Sequence, residues 1–160
     1  PMHPNIAIVY VNFLKKPVRR RTAPTAVPYC VPATLKLHSP IRGEIAQDAS
    51  GRLLVGAPID IIFLFPSGSP YQPTAVDFTT KPGQGNDLGG QKNFPKGDRH
   101  PLYGMIKVSN KRLEKGAWDF TLRMTDPQGQ PCVIDPEIEN TDLNLQVPPV
   151  RRRPKSKKAR

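Results

Sequence analysis

Cysteine is nearly absent from this chain: Cys30 and Cys132 are the only two among 160 residues. Two cysteines cannot build a disulfide scaffold or a four-cysteine zinc site. Nothing in their spacing pairs them, so two separate thiols are expected, with one long-range bridge in an oxidising compartment as the alternative. Histidine is almost as scarce. His3, His38 and His100 are too scattered for a ligand motif, and no metal and no cofactor is expected. No nucleophile elbow, HExxH or other catalytic motif is present, so no catalytic residue is assigned and a non-enzymatic role is favoured. No run reaches the roughly 20 apolar residues needed to span a bilayer. The apolar stretch NIAIVYVNFL, residues 5–14, is short. Its positive charges follow it, whereas a secretory signal places them before. The chain opens on Pro1 with its first methionine at Met2, so its start is expected to be processed or incomplete. The sequence assigns no compartment.

Long helices are also excluded. The chain has 20 prolines, about one residue in eight where one in twenty is usual. Their longest gap runs from Pro101 to Pro127. Proline removes a backbone donor and clashes inside helices.

Acidic residues are missing from both ends. The formal charge of +11 is carried by two clusters: Lys15, Lys16, Arg19, Arg20 and Arg21 near the start, and Arg151, Arg152, Arg153, Lys155, Lys157, Lys158 and Arg160 at the end. Between residues 22 and 150, twelve basic residues meet thirteen acidic ones. A nucleic-acid-binding fold more often carries a basic face within its domain. Here the basic character belongs to tails, which bind anions without sequence preference and with strong salt dependence. No aromatic is interleaved with the terminal RRRPKSKKAR, so base stacking is not offered.

What is present reads as short strands separated by turn residues. ATLKLHS alternates, with Leu35 and Leu37 on one face. GEIAQDASGRLLVG reads as a hairpin turning at Asp48–Gly51. PIDIIFLFP is a dense apolar run between Pro58 and Pro66, as in a strand buried on both faces. TAVDFTT places Val76 and Phe78 opposite Asp77 and Thr79, and YGMIKVS is a further strand. SNKRLEKG suggests one helical turn capped by Ser109 or Asn110 and stopped by Gly116. GAWDFTLRMTD, its return PCVIDPEIE and a last strand TDLNLQV complete the pattern. About seven to nine strands with regular turns point to an all-β antiparallel sandwich. Residues 31–147 form the expected domain. Segment 1–30 is basic and proline-rich and offers at most an edge strand. Residues 148–160 are read as a disordered basic tail.

Three stretches bear on chemistry. A copper site on a sandwich needs His and Met just after a late cysteine, but Cys132 is followed by VIDPEIEN. PGQGNDLGG resembles a phosphate loop only in its glycines. QKNFPKG follows it, with a proline where a helix would have to start. Asp135, Glu137 and Glu139 share one strand face opposite Cys132, Ile134 and Ile138. They lack calcium-binding spacing and are read as a solvated acidic face.

The strand within EKGAWDFTLRMTD carries Trp118, Phe120, Leu122 and Met124 on one side, and Asp119, Thr121, Arg123 and Thr125 on the other. Glu114, Gly116, Trp118 and Phe120 resemble the entry to the penultimate strand of immunoglobulin-like sandwiches. TDPQGQP resembles the hairpin loop joining the last two strands of bacterial immunoglobulin-like modules. The match covers residues 114–138. Phe120 stands where antibody-type domains carry a disulfide cysteine, and Trp118 where they carry a tyrosine, so the resemblance implies neither that disulfide nor that corner hydrogen bond. It implies a non-catalytic β-sandwich module for protein–protein interaction or a structural role. Contacts with an unidentified protein partner are expected from the long loop 81–101, through Asp98, Arg99 and His100, and from the hairpin loop, through Asp126 and Gln128. The alternative is a small nucleic-acid-binding accessory protein acting through its basic tails, with Arg151, Arg152, Arg153, Lys155, Lys157 and Lys158 as the anion-binding residues.

Overall fold

The computed structural model of the chain describes residues 5–13, 30, 33–81, 83, 87 and 90–143. Among these, eleven strands form two sheets. The first sheet has the order β2-β1-β5-β8-β7. It comprises β1 (Asn5–Phe13), β2 (Ala33–Leu37), β5 (Ile59–Leu64), β7 (Arg99–Leu102) and β8 (Met105–Asn110). The second sheet is centred on β9 (Gly116–Thr125). On one side of β9 lies β6 (Gln72–Thr80). On the other lie β10 (Pro131–Ile134) and β11 (Glu137–Asn140), followed by β4 (Leu53–Val55) and β3 (Ile45–Gln47).

The two sheets share one core, as the period-two patterns require. Trp118, Phe120, Leu122 and Met124 are all buried and project from β9. Ile59, Ile61 and Phe63 on β5, Ile106 and Val108 on β8, and Ala7, Val9 and Val11 on β1 belong to the same cluster. Phe63 from one sheet reaches Phe120 from the other, with ring centroids 5.3 Å apart.

The sheets are mixed, in contrast to the antiparallel expectation. β1 runs parallel to β5, and β11 parallel to β4. Nor is β1 the edge strand expected from sequence: it lies between β2 and β5. Its unbroken apolar run fits that inner position better than an edge. The strand count exceeds seven to nine because β1 and β7 add to the pattern and the return PCVIDPEIE is divided. β10 and β11 nevertheless keep one register along β9: Ile134 faces Leu122 and Ile138 faces Trp118. Asp135 and Pro136 separate them, and the Pro136 carbonyl still accepts from Phe120 N–H at 2.9 Å. Proline at this point supplies no donor for the ladder on the other side.

Two local expectations fail. Residues 111–115 form no helical turn. Instead the Asn110 side chain accepts from Arg112 N–H at 2.9 Å, and Arg112 adopts φ 54°. An Asx turn competes with a helical start at such residues. Within TDLNLQV, residues 141–143 are not in a strand and 144–147 lie outside the described residues. The Asp48–Gly51 turn is as expected, with Asp48 accepting from Ser50 N–H and Arg52 N–H.

The cysteines are not separate thiols. Cys30 and Cys132 form a disulfide with Cα atoms 5.1 Å apart across a sequence separation of 102 residues. Cys30 N–H donates to the Val133 carbonyl at 3.0 Å, which sets Cys30 beside β10. Spacing along the chain carried no trace of this contact because the intervening strands create it.

Side chains bridge the lateral openings between the sheets. On one side Gln47 accepts from Leu37 N–H at 3.0 Å and donates to the Leu35 carbonyl at 2.9 Å, joining β3 to the edge of β2. On the other, Arg99 donates from Nη1 to the Val76 carbonyl at 3.1 Å, joining β7 to the edge of β6. Edge groups satisfied in this way are withdrawn from pairing with another chain.

Candidate functional site

The outer faces of the two sheets differ in chemistry. On the five-stranded sheet, the residues between the buried ones form rows across the strands. Lys36, Tyr10, Leu64, Met105 and Leu102 make one row through the pairings of β2, β1, β5, β8 and β7. Ile8, Ile62, Lys107 and His100 make the next row, and Ile6, Asp60 and Ser109 a third. The His38 ring lies edge-on to Tyr10, with centroids 5.5 Å apart. The centre of this face is therefore Ile8, Tyr10, Ile62, Leu64 and Met105, each half-buried, with Ile6 and Leu102 57% exposed beside them. Polar groups occupy the rim: Lys36, His38, His100, and Lys107 paired with Asp60 at 3.5 Å.

β5 thus departs from the sequence expectation. PIDIIFLFP was expected to be buried on both faces. Ile59, Ile61 and Phe63 are buried, while Asp60, Ile62 and Leu64 on the other face are only half-buried. Composition demanded two covered faces, and the folded chain covers one of them fully.

The outer face of the six-stranded sheet is polar and paired. Asp77 accepts from Arg123 Nε at 2.6 Å across β6 and β9. Arg52 reaches Glu137 at 2.9 Å and Glu139 at 3.1 Å. Lys81 bonds Glu137 and lies 3.6 Å from Asp119. The Glu137 carboxyl is held below the ordinary glutamate range by its hydrogen bond from Lys81, against desolvation and with help from Arg52. The Lys81 ammonium is raised by the same bond. Asp135 accepts from Thr121 Oγ1 at 2.8 Å. The acidic set singled out from sequence is answered by these cations, and among the described residues no group of three or more His, Cys, Asp or Glu is placed to hold a metal ion. A groove of about 690 Å³ opens beside it, between β2, the β3–β4 turn and the Asp135–Pro136 break.

Loop 81–101 is anchored where it is described. Asp87 and Asn93 are buried, and Phe94 belongs to the core. Phe94 stacks on Phe78 with centroids 3.9 Å apart and meets Trp118 edge-on at 5.2 Å. Asp87 accepts from Lys92 N–H, Asn93 N–H and Asn93 Nδ2 at 2.8–2.9 Å, and its carbonyl accepts from Trp118 Nε1 at 3.0 Å. Burial opposes the charge on Asp87, but these donors outweigh it and hold its carboxyl below the ordinary aspartate range. The network continues through Asn140, which donates to Asn93 at 3.1 Å and accepts from Asn110 at 2.7 Å. Every buried side-chain polar atom among the described residues has a partner, so this cluster presents nothing to a ligand. Gly90 is required here: its φ is +64°, and a Cβ would lie 2.9 Å from both Phe78 and Phe94.

The residues singled out for partner contact separate accordingly. Arg99 faces inward: Nε donates to the Phe94 carbonyl at 2.9 Å, and the guanidinium sits 4.8 Å from the Phe78 ring centroid. Desolvation lowers its pKa. His100 is exposed on the outer face of β7. Asp98 ends a short 3-10 turn, Lys96–Asp98. Asp126 organises its own hairpin by accepting from Gln128 N–H and Gln130 N–H at 2.9 Å, and Gln128 is exposed. The candidate anion-binding residues Arg151, Arg152, Arg153, Lys155, Lys157 and Lys158, and the whole of segment 148–160, lie outside the described residues. Of segment 1–30, residues 5–13 and Cys30 are described.

Sequence reasoning missed the outer apolar face. The available signal was that NIAIVYVNF and IDIIFLF do not alternate, although each strand has one face on the core.

Protein-family models yield no match to the chain, and neither do curated proteins. Among the described residues no helix is long and apolar enough to cross a membrane.

Proposed function

We propose that the chain is a non-catalytic, immunoglobulin-like sandwich module that binds a protein partner through the outer face of its five-stranded sheet. The observation that carries this reading is the apolar centre Ile8, Tyr10, Ile62, Leu64 and Met105, flanked by Ile6 and Leu102 and rimmed by polar groups. An apolar centre with a polar rim is the anatomy of a protein interface, and contiguous exposed apolar patches mark such sites. His100, expected from sequence as a contact residue, lies on this face. The immunoglobulin-like assignment is supported by the position of Trp118 and Phe120 on the central strand of the second sheet. The parallel pairs β1–β5 and β11–β4 depart from the antiparallel pattern expected of the sandwich.

The test is co-purification of partner protein with the full chain and with two lysine variants. Ile62→Lys places a charge at the centre of the apolar face, and Thr79→Lys places one on the opposite face. Loss of the partner with Ile62→Lys and retention with Thr79→Lys is expected. The reverse pattern, or equal retention by both, would overturn the reading.

A second reading rests on the basic clusters at residues 15–21 and 151–160. In it, the tails bind nucleic acid by neutralising phosphates, and the sandwich is a carrier. Replacing Arg151, Arg152 and Arg153 by Gln should then weaken oligonucleotide binding and flatten its salt dependence by about three phosphate contacts. Binding unchanged by the triple substitution would exclude this reading.

A further inference from the structure

Resting on the reading that the outer face of the five-stranded sheet is an interaction surface, we propose that its occupant is a second copy of the same chain, packed face to face. Three features of the molecule support a self-partner.

The first is how the edges are treated. Association of β proteins commonly proceeds by adding a strand to an exposed edge. Here the edge of β2 is bonded by Gln47 and the edge of β6 by Arg99. The remaining edge of the five-stranded sheet, β7, is only four residues long and contains Pro101. With its edges blunted, the five-stranded sheet has its face left for association. Face-to-face packing of apolar sheet surfaces already builds the core of this chain.

The second is area. Five strands about 4.8 Å apart, carrying from about two to four outward residues each at a spacing of about 6.7 Å, give a face of roughly 24 by 20 Å. Two such faces in contact bury about 1,000 Å² in all, which reaches the lower bound for a specific interface.

The third is charge. On this face Asp60 is already paired with Lys107 at 3.5 Å, leaving Lys36 as the remaining lysine, at the rim. Two copies therefore meet with little repulsion. The opposite face carries five carboxylates, Asp77, Asp119, Asp135, Glu137 and Glu139, against Arg52, Lys81 and Arg123. Stacking two copies on that side would oppose like charges. A two-fold pairing of the apolar faces is closed and leaves no copy of this face unmatched.

The test is sedimentation equilibrium of the full chain from about 1 to 200 μM, the range in which a 1,000 Å² interface should report. A mass rising toward twice the 17.8 kDa of the monomer is expected. Ile62→Lys should weaken self-association by roughly thirtyfold, the effect of losing a central anchor. Leu102→Glu supplies a second variant at a 57% exposed position, where misfolding is not a concern, and it should also shift the curve. Thr79→Lys should not. A monomer at every concentration overturns the second-copy proposal. If that monomer still retains a different protein, lost with Ile62→Lys, the interaction-module reading survives without it. A dimer unaffected by both Ile62→Lys and Leu102→Glu likewise overturns the proposal, because association then uses another surface.

Discussion

The two outer faces of this molecule are built from strands of the same kind over one core, yet they meet their surroundings differently. Over the six-stranded sheet, each acidic side chain has a local answer: Arg123 for Asp77, Arg52 for Glu137 and Glu139, Lys81 for Asp119, and the Thr121 hydroxyl for Asp135. Such a face is complete in water. Over the five-stranded sheet, Ile8, Tyr10, Ile62, Leu64 and Met105 stand together with only part of their surface covered. Apolar area left in water gives up about 25 cal/mol per Å² that burial would provide. On the proposed reading, the difference assigns fold stability and partner recognition to different surfaces. The core needs one face of each strand, and what occupies the other face is free to be solvated or sticky.

Both faces hang on one shared core, and the largest expected effect tests that. Phe120 is fully buried and touches both Phe63 and Phe78. Phe120→Ala should cost about 3–5 kcal/mol by equilibrium denaturation. A loss below about 1 kcal/mol would mean that the sheets do not depend on each other as described.

The disulfide comes next. It closes a loop of 102 residues and ties Cys30 to β10 of the polar-faced sheet. Replacing both cysteines by Ala should cost about 2–5 kcal/mol, while the apolar face, which lies on the other sheet, keeps its binding. Loss of binding in a still-folded double variant would show that the two sheets are not functionally separable.

A smaller effect is expected at the end of the sandwich where loop 81–101 is pinned. The Asp87 carboxyl is held below its ordinary range, so in the unfolded chain it takes up a proton more readily than in the fold. Its stabilising contribution is therefore present above about pH 5 and is lost as pH falls through the folded value. Asp87→Asn should cost about 1–3 kcal/mol at neutral pH and should flatten the acid limb of the stability profile below about pH 5. An unchanged acid limb would remove Asp87 from the account.

The smallest effects separate the faces themselves. Glu137→Gln on the polar face should change stability by less than about 1 kcal/mol, since its partners are partly solvated. Ile62→Lys should cost the isolated chain no more than about 1.5 kcal/mol, because a lysine stem can lie along apolar neighbours. The contrast then lies in association, which only the second substitution should disturb.

Much of this architecture was legible in the residues. The alternation Trp118, Phe120, Leu122, Met124 fixed the buried face of β9, and Asp48–Gly51 announced its hairpin. Both are local patterns, and a strand's period of two survives any tertiary context. What escaped detection was relational. The pairing of Cys30 with Cys132, the parallel alignment of β1 with β5, and the inward turn of Arg99 onto the Phe94 and Val76 carbonyls all depend on which strand lies beside which. The described part of the long loop shows the same dependence: Phe94 docks in the core and Asp87 accepts from the backbone N–H groups of Lys92 and Asn93, contacts that no local pattern in the loop announces. The candidate surface sat between these cases. NIAIVYVNF and IDIIFLF carried an excess of apolar residues over what one buried face requires, and the fold was needed to show that the excess gathers in one place.

On the proposed reading, the outer face of the five-stranded sheet, and not that of the six-stranded sheet, is where this protein makes contact. The most direct measurement is site-specific photo-crosslinking in the full chain, with a photoreactive residue placed either at Ile62 or at Thr79. One defined adduct is expected from position 62 and none from position 79. Adducts from position 79 alone, or equal yields from both, would contradict it.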